Sequence, residues 1–492
     1  MSRGQDTVRR ALVLLALACA ALPAAQALQP CRVAGIRNEV QCGQVSRALD
    51  PARPDGPKIE VHYVVVPAMA RRKLPDPVFM LAGGPGQSAI AVAPDVLGLF
   101  GRLNNRRDIV FVDQRGTGRS APLACEDDRR APLAEQADLG AQLERLTQCK
   151  ARLLELPYIR RESDLGLFTT PLAMQDLDAV REQIGAAQIN LVGVSYGSRA
   201  ALDYMRQFPQ AVRRSVIDGA APPDMVLPAS SSPDNQAAFD ALLAACAGEA
   251  ACAKAFPTLR DDWATLLESL PKTVTVAHPL TGRSETFTLT RDRVLGAVRG
   301  PLYGPALAAG LPAAISAAAR GRYEPLMGLA SLLGPRRGTL LAMGMHLSVV
   351  CAEDVPRLAD TKEVPGRDFG ADFARFYKRA CTTWPRGPVP ADFYQVPAFA
   401  RPVLVASGGI DPATPPRHGE RVARSLGPAA RHVVVPYAGH GVMGIGCMHD
   451  VMFRFIDAPT DAQASAVDVS CVTAIPRPPA FVPLAAAAQA PP

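Results

Sequence analysis

The stretch from Ile189 to Ala200, INLVGVSYGSRA, constrains the fold of this chain more than any other. Ile189 to Val194 is an apolar run with β-branched residues, the pattern of a buried strand. It breaks at Gly193-Val194-Ser195-Tyr196-Gly197, and a helix-like segment follows from Ser198 toward Gln207. A G-x-S-x-G string alone is weak, because glycine and serine are common. Between a strand and a helix it predicts a sharp turn that holds a serine in strained backbone, with its hydroxyl clear of the chain. Gly193 and Gly197 let strand and helix approach closely. The Ser195 hydroxyl then stands near the positive end of the helix.

Strands and helices alternate on either side of this turn. Lys58 to Val66, Val78 to Leu81, Asp108 to Val112, Val212 to Ile217, Pro402 to Ser407 and His432 to Val435 read as strands. Thr170 to Ile184 carries Ala173, Leu177, Val180 and Ile184 on one helical stripe and stops at Gly185. The alternation predicts an α/β chain with a mostly parallel sheet and helices on both faces. From Pro222 to about Val396 the pattern changes to mainly helical, with one hairpin formed by Thr273–Ala277 and Glu285–Thr290. The expected division is therefore 1–27 signal peptide, 28–221 first part of the core, 222–395 inserted cap, 396–474 second part of the core, and 475–492 a disordered Pro/Ala-rich tail. The signal peptide is read from Arg3, Arg9 and Arg10, the apolar run Ala11 to Leu22, and the A-x-A site Ala25-Gln26-Ala27.

The net charge of +7 is spread along the 492 residues, without a Lys/Arg block or aromatic–basic interleaving, so nucleic acid is not an expected partner. After removal of the signal peptide, no membrane span is expected. Cleavage would also remove Cys19 and leave Cys31, Cys42, Cys125, Cys149, Cys246, Cys252, Cys351, Cys381, Cys447 and Cys471. In sequence these fall into five neighbouring pairs, which in an oxidising compartment read as five disulfides. The alternatives are free buried thiols or metal ligation; the latter lacks a C-x-x-C or a Cys–His cluster at ligand spacing.

A serine hydroxyl needs a base within hydrogen-bond reach, and an imidazole base needs an acid to fix its tautomer. In a strand–elbow–helix context those partners follow the serine in the order acid, then histidine, on loops after later strands. The strand ending at Ser407 runs into Gly408-Gly409-Ile410-Asp411-Pro412, which places Asp411 at that edge. The strand ending at Val435 runs into Pro436-Tyr437-Ala438-Gly439-His440-Gly441, which places His440 beside it. The other histidines fit worse: His432 starts a strand, His418 and His449 look helical, and His346 precedes an apolar run in the cap. The expected triad is Ser195, Asp411 and His440. Two donors for an oxyanion are expected from the backbone N–H of Tyr196, directly after the serine, and of Gly84 in the loop Gly83-Gly84-Pro85-Gly86.

Together, Gly83-Gly84-Pro85-Gly86, Asp113-Gln114-Arg115-Gly116-x-Gly118-x-Ser120, the Ser195 turn and the Asp411 and His440 loops resemble the α/β-hydrolase serine aminopeptidases. This is the group of prolyl iminopeptidases and secreted tripeptidyl aminopeptidases. The likeness is closer to the exported tripeptidyl branch and extends to Cys351-Ala352-Glu353-Asp354, Trp384-Pro385 and the Cys447/Cys471 region. Where iminopeptidases usually carry histidine before Gly-Gly-Pro-Gly, this chain has Ala82, which bears on the branch rather than on catalysis. The resemblance implies an α/β-hydrolase fold with a cap, peptide substrates with a free N-terminus, a periplasmic or secreted location, and no metal or organic cofactor. It also implies an acid in or under the cap for the substrate's ammonium group, for which Glu353 and Asp354 are the candidates. Asp113 and Arg115 are expected to form a buried ion pair. An esterase or other acyl hydrolase on the same scaffold is the alternative.

Overall fold

The computed structural model describes residues 28–127, 129–332 and 341–483; the expected signal peptide and residues 484–492 of the expected tail lie outside the described residues. In chain order the strands are β1 (Gln29–Cys31), β2 (Val40–Ala48), β3 (Lys58–Val66), β4 (Val78–Leu81), β5 (Ile109–Val112), β6 (Ile189–Val194), β7 (Val212–Asp218), β8 (Lys272–Ala277), β9 (Ser284–Leu289), β10 (Val403–Gly408) and β11 (Ala430–Val435). Nine of them form one sheet in the order β1-β2-β3-β5-β4-β6-β7-β10-β11, while β8 and β9 form a separate hairpin. The pairs from β5 through β11 are parallel, whereas β1, β2 and β3 join antiparallel.

β6 pairs with β4 and β7, with Leu81 opposite Gly193 and Asp218 opposite Val194. β10 continues the register, with Ala406 opposite Asp218, and β11 places Val435 opposite Gly408. The loops that follow β4, β6, β10 and β11 therefore emerge along one edge of the sheet, the edge where ligand crevices of parallel sheets lie. The strands alternate sides: Phe79 and Leu81 join one buried cluster, and Val78 and Met80 the other. The helices Thr170–Gln183 and Tyr196–Gln207 cover the first face through Leu177, Val180, Ala200 and Tyr204. The helices Ala89–Val96 and Met448–Asp457 cover the second through Ala93, Val451 and Phe455.

β2 has no counterpart among the strands that the sequence pattern predicts. Its polar sequence VQCGQVSRA hides an eight-pair antiparallel register with β3, from Gln41–Val65 to Ala48–Lys58. Its partner, not its own hydrophobicity, makes it a strand.

Between Asp218 and Val403 the chain leaves the sheet and builds helices and the β8–β9 hairpin around a separate apolar cluster that includes Phe239, Trp263, Phe287 and Val298. The Phe239 and Trp263 rings pack at 4.5 Å between centroids, tilted by 49°. Disulfides join Cys31–Cys42, Cys125–Cys149, Cys246–Cys252, Cys351–Cys381 and Cys447–Cys471. Among the described residues no helix is long and apolar enough to cross a membrane.

The start of the expected disordered tail is anchored instead. Arg477 pairs with Glu249 at 2.8 Å, and the Phe481 N–H donates to the Ala309 carbonyl at 2.8 Å. Composition concealed these anchors, because one charged pair and one backbone bond suffice to seat a short Pro-rich segment on a folded surface.

Candidate active site

The turn after β6 holds Ser195 at φ 57° and ψ −124°. A non-glycine residue at positive φ costs on the order of 1–3 kcal/mol, and the neighbours here over-determine it. The Ser195 N–H donates to the Asp218 carbonyl at 2.9 Å, while its own carbonyl accepts from the Ser198 N–H at 2.8 Å and the Ser198 hydroxyl at 2.5 Å. The glycines are sterically required: a Cβ on Gly193 would stand 2.3 Å from the Gly197 carbonyl oxygen, and one on Gly197 would stand 2.1 Å from that of Leu81. The serine thus stands at the N-terminus of the helix Tyr196–Gln207, in the wall of a cavity of about 950 Å³.

His440 lines the same cavity, and its Nδ1 lies 2.8 Å from Asp411 Oδ2. Asp411 is buried; Oδ1 accepts from the Ala413 and Thr414 N–H groups at 2.8 and 2.9 Å, and Oδ2 accepts from the Thr414 hydroxyl at 2.8 Å. Burial works to raise the Asp411 carboxyl, but the charge and hydrogen bond of His440 and the two backbone donors outweigh it and hold it below the usual range. An ionised Asp411 only accepts, so Nδ1 of His440 carries the proton and Nε2 is left as the basic nitrogen. For His440 burial works downward, and the charge and hydrogen bond of Asp411 prevail, so its net shift is upward.

Two groups that the sequence reading did not single out fix this imidazole. The Thr414 hydroxyl also lies 3.1 Å from His440 Nδ1. From the cap, the Tyr303 carbonyl accepts the His440 backbone N–H at 2.8 Å, and the Tyr303 ring meets the imidazole edge-on at 5.0 Å. Asp218, at the end of β7, accepts from the N–H groups of Val442 and Met443 at 2.8–2.9 Å, which ties the His440 loop to the strand beside Ser195. Its burial, only partly offset by those donors, pushes its carboxyl up to about 6.

Gly84 and Tyr196 both line the cavity beside Ser195. The neighbouring Gly83 N–H is engaged by Gln87 Oε1 at 3.1 Å. The glycine loop is held from the cap by His346, whose Nδ1 lies 3.0 Å from the Pro85 carbonyl and whose Nε2 lies 2.8 Å from the Tyr377 hydroxyl. A carbonyl only accepts, so Nδ1 donates, and Nε2 accepts from Tyr377. Burial lowers the His346 pKa, which favours this neutral form. In the sequence its only signal was a lone histidine before an apolar run.

Glu353 and Asp354 are placed differently from the expectation. Both are fully buried behind the Ser195 helix and line neither the cavity nor its rim. Glu353 accepts from the Thr170 N–H and hydroxyl at 2.7 and 3.0 Å, and Asp354 takes the Arg199 guanidinium bidentately at 3.0 Å. Desolvation, against the pull of Arg199 and Thr170, pushes Glu353 up to about 7. Their oxygens are already engaged, so they brace the helix that carries Ser195 rather than meeting a ligand. Asp113 and Arg115 do not pair with each other either. Asp113 accepts from the Ser88 hydroxyl and the Ile90 N–H, and Arg115 binds Asp176 bidentately at 2.7 and 2.9 Å.

The arrangement places the Ser195 hydroxyl, the His440 imidazole held by Asp411, and the residues Gly84 and Tyr196 around one space. This can carry acyl transfer through a covalent serine intermediate. A family model described as alpha/beta hydrolase fold matches residues 76–444. Serine protease Hip1 of Mycobacterium tuberculosis is 26% identical over 434 residues, covering 81% of this chain and 82% of that protein. A tripeptidyl aminopeptidase of Streptomyces lividans is 31% identical over 192 residues, 37% of this chain and 36% of that one. A protein named carboxylesterase B from Mycobacterium tuberculosis is 28% identical over 437 residues, 79% of this chain and 78% of its own.

Proposed function

Because the chain belongs to the α/β-hydrolase family, in the group that includes serine peptidases, we propose that it is an exported serine aminopeptidase that releases short peptides from free N-termini. The observation that carries the reading is Ser195 and His440 in the wall of one cavity, with Asp411 behind them on His440 Nδ1. The five disulfides support export to an oxidising compartment.

In the proposed mechanism Ser195 Oγ attacks the scissile carbonyl carbon while His440 Nε2 takes its proton. The N–H groups of Tyr196 and Gly84 receive the oxyanion. His440 returns the proton to the leaving amine, the C–N bond breaks, and an acyl-enzyme remains. Water, deprotonated by the same imidazole, then releases the peptide and restores Ser195.

With Glu353 and Asp354 engaged elsewhere, we assign the substrate's ammonium to Asp292. It stands in the wall of a chamber of about 350 Å³ that shares Ser231, Asn235, Arg299 and Phe373 with the catalytic cavity. Asp292 lies in the first turn of the cap helix Arg291–Leu302, whose far end carries Tyr303 against His440. Eleven residues of helix span about 16 Å. Three extended residues span about 10 Å, and the two side chains supply the remaining reach, which favours release of tripeptides over single residues.

The test is a chromogenic panel: a free-amino proline anilide, a free-amino tripeptide anilide, their N-acetylated forms and a short-chain ester. Tripeptide turnover lost on acetylation and in Ser195→Ala is the expected result, with Asp292→Asn raising KM for free-amino substrates alone. Ester cleavage without peptide turnover would favour the esterase reading, to which the likeness to carboxylesterase B lends its support.

A further inference from the structure

We infer that Arg299 is the receptor for a carboxylate of the substrate, and that the site therefore favours peptides with an acidic group close to the cleaved bond. This builds on the peptidase reading, because it names the substrate class of that same cavity.

Arg299 lies on the cap helix Arg291–Leu302, half-buried in the wall common to the catalytic cavity and the side chamber. Its guanidinium sits over the Phe373 ring, 4.5 Å from the centroid. Among the described residues no carboxylate or carbonyl meets its donors. The other arginines nearby are occupied: Arg293 donates to Gln136 Oε1 at 2.9 Å, Arg375 pairs with Asp372, and Arg199 is held by Asp354. Held over Phe373, the guanidinium keeps its N–H donors unspent at the cavity wall, and such a fork can take a carboxylate with two parallel bonds.

Asn235 adds a second polar group at the same junction. Asn235 is buried and lines both spaces; its Nδ2 donates to the Ser231 carbonyl and hydroxyl, while its Oδ1 has no partner. The amide orientation is fixed by those two acceptors. A buried acceptor left open costs on the order of 1–3 kcal/mol. An unpaired guanidinium at a junction that Asn235 also lines matches an acidic amino-acid residue, whose carboxylate it can take.

The position sets the distance from the chemistry. Arg299 and Tyr303 are four residues apart on one face of the helix, about 6 Å between Cβ atoms. Tyr303 packs on His440, and the charge of Arg299 is felt at His346 and Tyr377 in the same wall. The bound carboxylate thus belongs to a residue adjacent to the scissile carbonyl or one removed. It is either an acidic side chain of the released peptide or the terminal carboxylate of a short substrate.

The experiment compares kcat/KM for matched pairs in wild type, Arg299→Lys, Arg299→Gln and Arg299→Glu. Free-amino tripeptide anilides with Glu or Gln at each position test the side-chain source. Short peptides as free acids or C-terminal amides test the terminal source. p-Nitrophenyl hemisuccinate against p-nitrophenyl butyrate tests the carboxylate site without any peptide. Labelling of Ser195 by a fluorophosphonate confirms that each variant is folded and competent. The expected result is a preference of about tenfold or more for the carboxylate member of one pair, the worth of one charge-assisted hydrogen bond. It should persist in part in Arg299→Lys, fall to unity in Arg299→Gln, and invert to favour the neutral member of the pair in Arg299→Glu. An acid-to-neutral ratio that Arg299→Gln leaves unchanged, or an equal loss on both members of every pair, overturns the inference. If no peptide is turned over but the ester pair still shows an Arg299-dependent preference, the aminopeptidase reading fails and the carboxylate site stands.

Discussion

Asp218 is a buried charge that the site keeps at a cost in stability, and Asp218→Asn separates the two. Its carboxyl accepts three backbone hydrogen bonds from Val442 and Met443, yet burial still lifts it from 3.8 to about 6. That shift corresponds to about 3 kcal/mol of unfavourable free energy for the ionised form in the folded state. A carboxyl raised on folding stabilises the protein below its unfolded pKa of 3.8, and that contribution is lost as pH rises through about 6. An asparagine has the shape of the neutral acid and does not titrate. Relative to wild type, the variant should therefore gain up to about 3 kcal/mol between pH 4 and pH 8. Its amide nitrogen faces a backbone N–H, which offsets about 1–3 kcal/mol at every pH without altering the trend. Activity moves the other way. The His440 loop loses a charged anchor, and His440 loses one of the two carboxylates that raise its pKa. A displacement of about 1 Å at the imidazole lowers kcat/KM by about 10²-fold. The assay is thermal or urea unfolding of both proteins across that pH range, paired with kcat/KM on the tripeptide anilide. A stability difference that is flat in pH, or that grows more unfavourable to the variant above pH 6, refutes the reasoning.

Since His440 must be neutral to act as a base and its pKa is raised, kcat/KM should rise with pH through a midpoint above 6.5. The same ion pair adds stability that is complete below 6.5 and is lost as pH rises through the raised value. Asp411→Asn should shift that midpoint downward and cost about 10⁴-fold in kcat, because the imidazole loses its oriented tautomer; a pH–rate profile checks both. Glu353→Gln should leave KM for free-amino substrates within about twofold of wild type, whereas Glu353→Leu strips Thr170 and Arg199 of a buried partner and costs about 3 kcal/mol of stability. A rise in KM for free-amino substrates alone in Glu353→Gln, with unfolding unchanged, would restore Glu353 as an ammonium receptor.

The parts of this molecule that depend on local pattern could be read from the sequence. β6, its glycines and the helix after Ser195 form one contiguous stretch. Asp411 and His440 each follow an apolar strand, so position along the sheet edge identifies them. The cysteine pairs are neighbours in sequence and are joined so in the fold. What escaped depends on partners far along the chain. β2 is polar and exists because β3 accepts it. Glu353 and Asp354 looked available under the cap, but Thr170 and Arg199, more than 150 residues away, already hold them. Thr414 is three residues past Asp411, and its hydroxyl acquires meaning only when the β11 loop brings His440 against it. His346 had no sequence neighbour to explain it, because the Pro85 carbonyl it binds lies 261 residues earlier.

The most direct test of the central claim is to trap the acyl-enzyme. The protein is mixed with an excess of a free-amino tripeptide ester or anilide, quenched in acid within the first turnovers, and mapped by peptide mass spectrometry. The account predicts a mass increment equal to the tripeptide acyl group on the peptide that contains Ser195, absent with the N-acetylated substrate and absent in Ser195→Ala. An increment on another residue, or equal acylation by the acetylated substrate, would contradict it.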